Sequence, residues 1–274
     1  MLKHAPVALL FLFVGCKSGP EITSSAALPE LVAQELTVPE QGLSEFRLRL
    51  SGAVKASETV TIEKATYELV VEEKVVSAGE ELIGKSAAPT ETGEFVIERT
   101  SRYVGSAEEL AAMSERGGSL LAAVRGKLFV RQGKELHTLD YARSREIRVP
   151  RLPTVKLHEL DAARYSADEA NATFYLGVVN PNPFPVKLDG LSYAIEIGGK
   201  KLSEGVRGQG EKVSTAATGV FEVQVAITQE TYGPEVNRLI KSLTLPYVVK
   251  GQLQGDLFQL PYELRGDIKL NVSK

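Results

Sequence analysis

Apolar and polar residues alternate with a period of two over many short runs of this chain, the pattern of strands that bury one face. Phe46, Leu48 and Leu50 interleave with Arg47 and Arg49. The same alternation recurs at Tyr67/Leu69/Val71, Phe174/Leu176/Val178, Tyr193/Ile195/Ile197, Phe221/Val223/Val225/Ile227 and Ile268/Leu270/Val272. Glycines and prolines punctuate the runs at intervals of roughly ten to twenty residues, which predicts an all-β protein of antiparallel sandwich or barrel type.

The pattern is written twice. A shift of 126 residues places Tyr67 on Tyr193, Gly79 on Gly205, Gly93 on Gly219 and Phe95 on Phe221. With small gaps, Val124-Arg125-Gly126-Lys127-Leu128 matches Val249-Lys250-Gly251-Gln252-Leu253, and Ile147-Arg148-Val149 matches Ile268-Lys269-Leu270. The chain is therefore expected to be a tandem duplication of a module of ~120 residues, each copy with its own core. The first unit spans 28–151 and the second 152–274. Pro150 and Pro153 lie at the boundary, and Val155–Leu160 opens the second unit.

Each copy carries one helical stretch at the equivalent place. In the first it is Ala107–Arg116, with Ser106 as N-cap and Gly117-Gly118 as the stop. In the second it is Pro234–Leu243, where Val236, Leu239, Ile240 and Leu243 follow the i, i+3, i+4, i+7 spacing and Pro234 suits the first turn.

Within the second unit a hydrophobic strand runs into Asn180-Pro181-Asn182-Pro183-Phe184-Pro185, followed by a hairpin through Gly198-Gly199, then Gly205, then an alternating strand after Gly219. This arrangement resembles the late-embryogenesis-abundant type 2 family, also called the water-stress-and-hypersensitive-response domain. The resemblance covers 152–274 and, through the repeat, more weakly 28–151. It implies two tandem immunoglobulin- or fibronectin-III-like sandwiches and a role in tolerance of drying or other stress. Where the second copy has this motif, the first carries Ser51-Gly52-Ala53-Val54-Lys55-Ala56, without asparagine or proline. Proline has no amide for a strand ladder and asparagine bonds its own backbone in turns, so the motif suits an architectural corner. A ligand-contacting loop is the alternative.

The amino terminus changes the picture from fold to location. Lys3 precedes the apolar stretch Ala5–Val14, and Gly15 stands before Cys16. The stretch is about half the length needed to cross a bilayer as a helix. The layout is that of a signal peptide, 1–15, and Phe13-Val14-Gly15-Cys16 resembles the bacterial lipobox, with Phe13 where leucine is usual. Cys16 is the only cysteine of 274 residues, so an internal disulfide is excluded and lipidation is its expected use. Residues 16–27 form a polar tether. Lys17, rather than aspartate, follows the cysteine, which favours the periplasmic side of an outer membrane.

Removing 1–15 takes only Lys3 from the 32 Lys+Arg, so 31 stand against 35 Asp+Glu, a formal charge of −4. Nothing in that balance favours nucleic acid, and no such partner is expected. Of three histidines His4 leaves with the signal peptide, while His137 and His158 lie in different units without ligand spacing. Ser203/Lys201 and Ser242/Lys241 lack a nucleophile motif. Gly205–Gly210 leads into a strand rather than a phosphate-binding helix. Glu72-Glu73 and Glu80-Glu81 border a hairpin as solvated strand ends. The expectation is a non-enzymatic protein with no cofactor, no metal and no small-molecule substrate, attached to a membrane through Cys16. An alternative is a structural or interaction module bridging the envelope membrane to a protein partner. A carrier of apolar ligands between the sheets is a third reading, poorly supported by two Met and no Trp.

Overall fold

A computed structural model describes residues 27–242 and 244–272; Cys16, the signal peptide, nearly all of the tether and Leu243 lie outside the described residues. The first unit contains β1 (Glu30–Gln41), β2 (Glu45–Lys55), β3 (Val60–Val71), β4 (Lys74–Ala87), β5 (Thr92–Arg102), α1 (Ala107–Arg116), β6 (Ser119–Gln132) and β7 (Glu135–Arg148). They form two antiparallel sheets, ordered β1-β2-β5 and β4-β3-β6-β7. The second unit contains β8 (Thr154–Arg164), β9 (Glu169–Val179), β10 (Val186–Lys187), β11 (Gly190–Ile197), β12 (Lys200–Arg207), β13 (Lys212–Val213), β14 (Thr218–Thr228), α2 (Gln229–Tyr232), α3 (Val236–Lys241), β15 (Thr244–Gly255), β16 (Phe258–Lys269) and β17 (Asn271–Val272). Its sheets, β14-β9-β8-β17 and β12-β11-β15-β16, repeat the first unit's order, with β17 added in parallel to β8. The chain is a tandem pair of all-β sandwiches with the same topology.

The duplicated glycines mark where backbones and rings crowd. Tyr67 lies between Gly79 and Gly126 in the ladders, as Tyr193 does between Gly205 and Gly251. A Cβ on Gly126 would sit 1.9 Å from the carbonyl oxygen of Thr66, and one on Gly251 1.9 Å from that of Ser192. Over these bare positions Tyr141 donates its hydroxyl to Thr66 at 2.7 Å and Tyr262 donates to Ser192 at 2.8 Å. Burial pushes both hydroxyls above the usual tyrosine range. Gly198-Gly199, at φ of 55° and 80°, makes the two-residue turn between β11 and β12. Its counterpart in the first unit is Glu72-Glu73, held at φ of 48° and 67°.

Helix α1 ends as its sequence dictates: Ser106 Oγ accepts the Glu109 amide at 3.2 Å, and Gly117 closes the last turn in a left-handed conformation. The second helical stretch differs from expectation. Gly233, at φ of 65°, ends α2 and opens a single 3-10 turn, Gly233–Glu235, that carries Pro234. The regular helix begins only at Val236, because proline brings no amide donor to the preceding turn. Val236 and Ile240 are fully buried on the open end of the sandwich.

Each unit has its own core. Phe46, Leu48, Leu50, Ile62, Leu69, Phe95 and Leu128 fill the first, and Phe174, Leu176, Ile195, Ile197, Val223, Ile227 and Val249 the second. The cores interlock at the junction: Leu43, on the β1–β2 turn, is buried in the second unit's cluster, Leu257, on the β15–β16 turn, packs against the first, and Leu152 packs against both.

Candidate functional site: the Asn-Pro corner and the cleft between the units

Pairing of β2 with β5 and of β9 with β14 corrects the alignment of the family motif. Val54 opposes Gly93 as Val178 opposes Gly219. The equivalent of Asn180 is therefore Ala56, and Ser51–Lys55 lie inside β2. The Asn180–Pro185 hexapeptide replaces the four-residue connection Ala56–Thr59, a two-residue insertion that the 126-residue offset absorbed. The first copy still lacks asparagine and proline there.

The hexapeptide alternates exposed and buried positions, with Pro181, Pro183 and Pro185 out and Asn180, Asn182 and Phe184 in. Prolines tolerate the outer positions because no ladder donor is needed there. Asn180, 1% exposed, directs Nδ2 at the carbonyls of Phe184 (2.8 Å), Ser214 (3.0 Å) and Val213 (3.2 Å). Its Oδ1 accepts the backbone amide of Asn182 at 3.0 Å and the side-chain amide at 2.9 Å. Asn182, 2% exposed, accepts the Arg151 amide on Oδ1 and donates Nδ2 to the Arg151 carbonyl, each at 2.7 Å. One side chain thus holds both polar groups of a linker residue, as a strand partner would. Leu152 donates its amide to Ser114 Oγ at 2.8 Å, and Ser44 Oγ donates to Asp256 Oδ2 at 2.5 Å across the junction.

Beside the corner the units enclose a cleft of ≈730 Å³. Pro39, Phe46, Pro183, Phe184 and Phe258 supply apolar wall, and Arg47, Lys187 and Lys212 bring cations to it. Arg47 is spent on Glu40 at 2.9 Å.

The remaining candidates do not converge. His137 is on β7, its Nε2 3.7 Å from Glu135, and His158 is the exposed bulge residue of β8. Among the described residues no cluster of His, Cys, Asp and Glu suits a metal, and no helix is long and apolar enough to cross a membrane. Gly208 and Gly210 turn the chain into β13 with positive φ, and a strand follows. Ser242 caps the end of α3 by donating to Leu239 at 2.6 Å, and Lys201 pairs with Glu204 at 2.7 Å. Of Glu80 and Glu81, the first pairs with Lys64 at 2.7 Å and the second with Arg99 at 2.9 Å. Sequence reasoning missed Arg151, Lys187 and Lys212; the repeat offset, which sets the two lysines against Thr61 and Ser86, was the available signal for the last two.

Residues 175–266, from β9 into β16 and including the whole corner, match the family model of the late embryogenesis abundant proteins. The second unit is a late-embryogenesis-abundant type 2 domain. Residues 28–151 lie outside that match. No curated protein matches the chain. Among solved structures, an Arabidopsis thaliana protein is similar at 14% identity over 44% of this chain and 82% of its own, with a TM-score of 0.35. A protein of Archaeoglobus fulgidus is similar at 15% identity over 42% and 97%, with a TM-score of 0.29. A GH2 beta-galacturonidase from Eisenbergiella tayi is similar at 9% identity over 84% of this chain and 36% of that enzyme, with a TM-score of 0.26. At these TM-scores the likenesses carry no argument about this late-embryogenesis-abundant domain or its partner unit.

Proposed function

We propose that the protein is a non-enzymatic envelope lipoprotein that contributes to tolerance of drying or related stress. Its acylated Cys16 holds a two-domain stalk at the periplasmic face of a bacterial outer membrane. The observation that carries the reading is the single cysteine, placed directly after a short apolar segment and Gly15. The geometry of the first unit supports it. Ala27 accepts from Gln132 Nε2 at 3.1 Å and Ser57 Oγ at 3.3 Å, so the chain enters at the end formed by the β2–β3 connection and the β6–β7 hairpin. The late-embryogenesis-abundant domain docks at the opposite end, about 35 Å away along the eleven residues of β2. The tether thus holds one end and presents the domain at the other.

Labelled palmitate should enter the wild-type protein and not Cys16→Ser, which should fractionate as soluble; membrane fractionation of Cys16→Ser would overturn the anchoring. A deletion strain that survives drying, freezing and osmotic shock like its parent would remove the stress role. The hydrogen-bonded junction also supports a second reading, a rigid spacer between the membrane and an envelope partner, which crosslinking from the second unit's free end would identify.

A further inference from the structure

We propose that Lys187 and Lys212 form a binding site for the phosphate group of a small ligand seated in the cleft between the units. The two residues are direct cross-strand partners in the β10–β13 ribbon, both are exposed, and both line the cleft. Direct opposition in an antiparallel pair brings Cβ atoms to about 4.5–5.5 Å, where like charges oppose pairing.

The duplication supplies the control. The same register position in the first unit is Thr61 opposite Ser86, whose hydroxyls bond each other at 2.8 Å. That copy is neutral and satisfied, and it lies at the end of its unit remote from the junction. The copy facing the cleft carries two ammonium groups instead. Neither makes an ion pair among the described residues, whereas Glu40 is paired with Arg47 and Asp256 accepts from Ser44. The lining also holds the carboxylates of Asp256, which keeps its charge on accepting from Ser44, and of Glu45; neither is in an ion pair among the described residues.

A dianion between the lysines converts repulsion into two charge-assisted contacts, and lysine serves phosphate as a point charge. The volume of ≈730 Å³ falls in the range of small-molecule pockets. The apolar wall offers the exposed Pro39 and Pro183 to the rest of the ligand. The phosphate could belong to a soluble ester or to a lipid headgroup.

The test exchanges the chemistry of one copy for that of the other, Lys187→Thr with Lys212→Ser. Wild type and variant are titrated with inorganic phosphate, glycerol phosphate and dihexanoyl phosphatidic acid, a lipid with the same phosphomonoester, with chloride at matched ionic strength as the control. Side-chain NMR signals of the two lysines and the melting temperature are followed. In wild type, phosphate or an ester should shift both lysine signals and raise the melting temperature beyond chloride. The double variant should bind at least about tenfold more weakly, the equivalent of one lost charge contact, and melt higher than wild type without ligand. Tighter binding of the phospholipid than of glycerol phosphate assigns the site to a headgroup, and the reverse to a soluble ester. Absence of any response beyond chloride in wild type, or equal titrations of wild type and variant, would overturn the proposal.

Discussion

Asn182→Ala separates the part of the corner that holds the linker from the part that holds the second sandwich. The substitution removes two bonds to Arg151, each 2.7 Å, and one of 2.9 Å to Asn180. It leaves the Asn182 amide bonded to Asn180 and the three contacts of Asn180 Nδ2 in place. A net hydrogen bond contributes about 1 kcal/mol, and unmade bonds cost more only where water cannot enter. The two bonds to Arg151 are only part-buried, so its peptide groups regain water and the junction loses about 2 kcal/mol. Amide hydrogen exchange reads this directly, because the Arg151 amide is the donor to Asn182: its exchange should quicken about 30-fold. Amides in the central strands β9 and β11 should keep their protection. Asn180→Ala is the converse. Its lost contacts, to Phe184, Val213, Ser214 and Asn182, all lie within the second unit, so that unit's melting temperature should fall. Unchanged exchange at Arg151 in Asn182→Ala, or equal effects of the two substitutions on the second unit's melting, would refute this division of labour.

Three further outcomes are expected. Glu73→Gly relieves a left-handed residue that costs about 1–2 kcal/mol and should stabilise the first unit by about 1 kcal/mol, read as a rise of a few degrees in its calorimetric transition; no gain would mean the turn is unstrained. Gly126→Ala and Gly251→Ala drive a Cβ against a carbonyl oxygen, so each should cost about 3 kcal/mol or more. The loss should fall on the first unit for Gly126 and on the second for Gly251, and a shared loss in calorimetry would contradict separate cores. Burial pushes the Tyr232 hydroxyl, which donates to Ile197 at 2.6 Å, up to about 12. An unfolded tyrosine ionises near 10, so the native state holds the proton more tightly. The associated stability is complete below about pH 10 and is lost as pH rises towards 12. Tyr232→Phe should flatten that alkaline decline, followed by circular dichroism alongside phenolate absorbance.

Much of the fold was legible because strand periodicity is a local property. Phe221, Val223, Val225 and Ile227 alternate in sequence and are all buried on one face of β14. Ser106 and Gly117 bound α1 because capping involves only the first and last turns. The tandem architecture followed from four residue pairs at one offset, and the structure attaches a reason to them: Tyr67 and Tyr193 each cross glycines that leave room for a ring. The second helix was read too long, since Pro234 fits a helical first turn and equally a 3-10 turn, and the left-handed Gly233 decided between them.

What the sequence by itself determined is which residues face inward, where strands end, and that one module occurs twice. Those properties follow from side-chain period and backbone preference over a few residues. Only the tertiary structure decided which inward residues meet. Alternation fixes the face of Asn182 but not that Arg151, thirty-one residues away, supplies its partners. The same is true of Leu43, apolar in a turn, which finds its place in the other unit's core. Lys187 and Lys212 are ordinary surface cations in sequence. They become an opposed pair only because the β10–β13 register, set by packing of Val186 and Val213 beneath them, brings them face to face at the cleft.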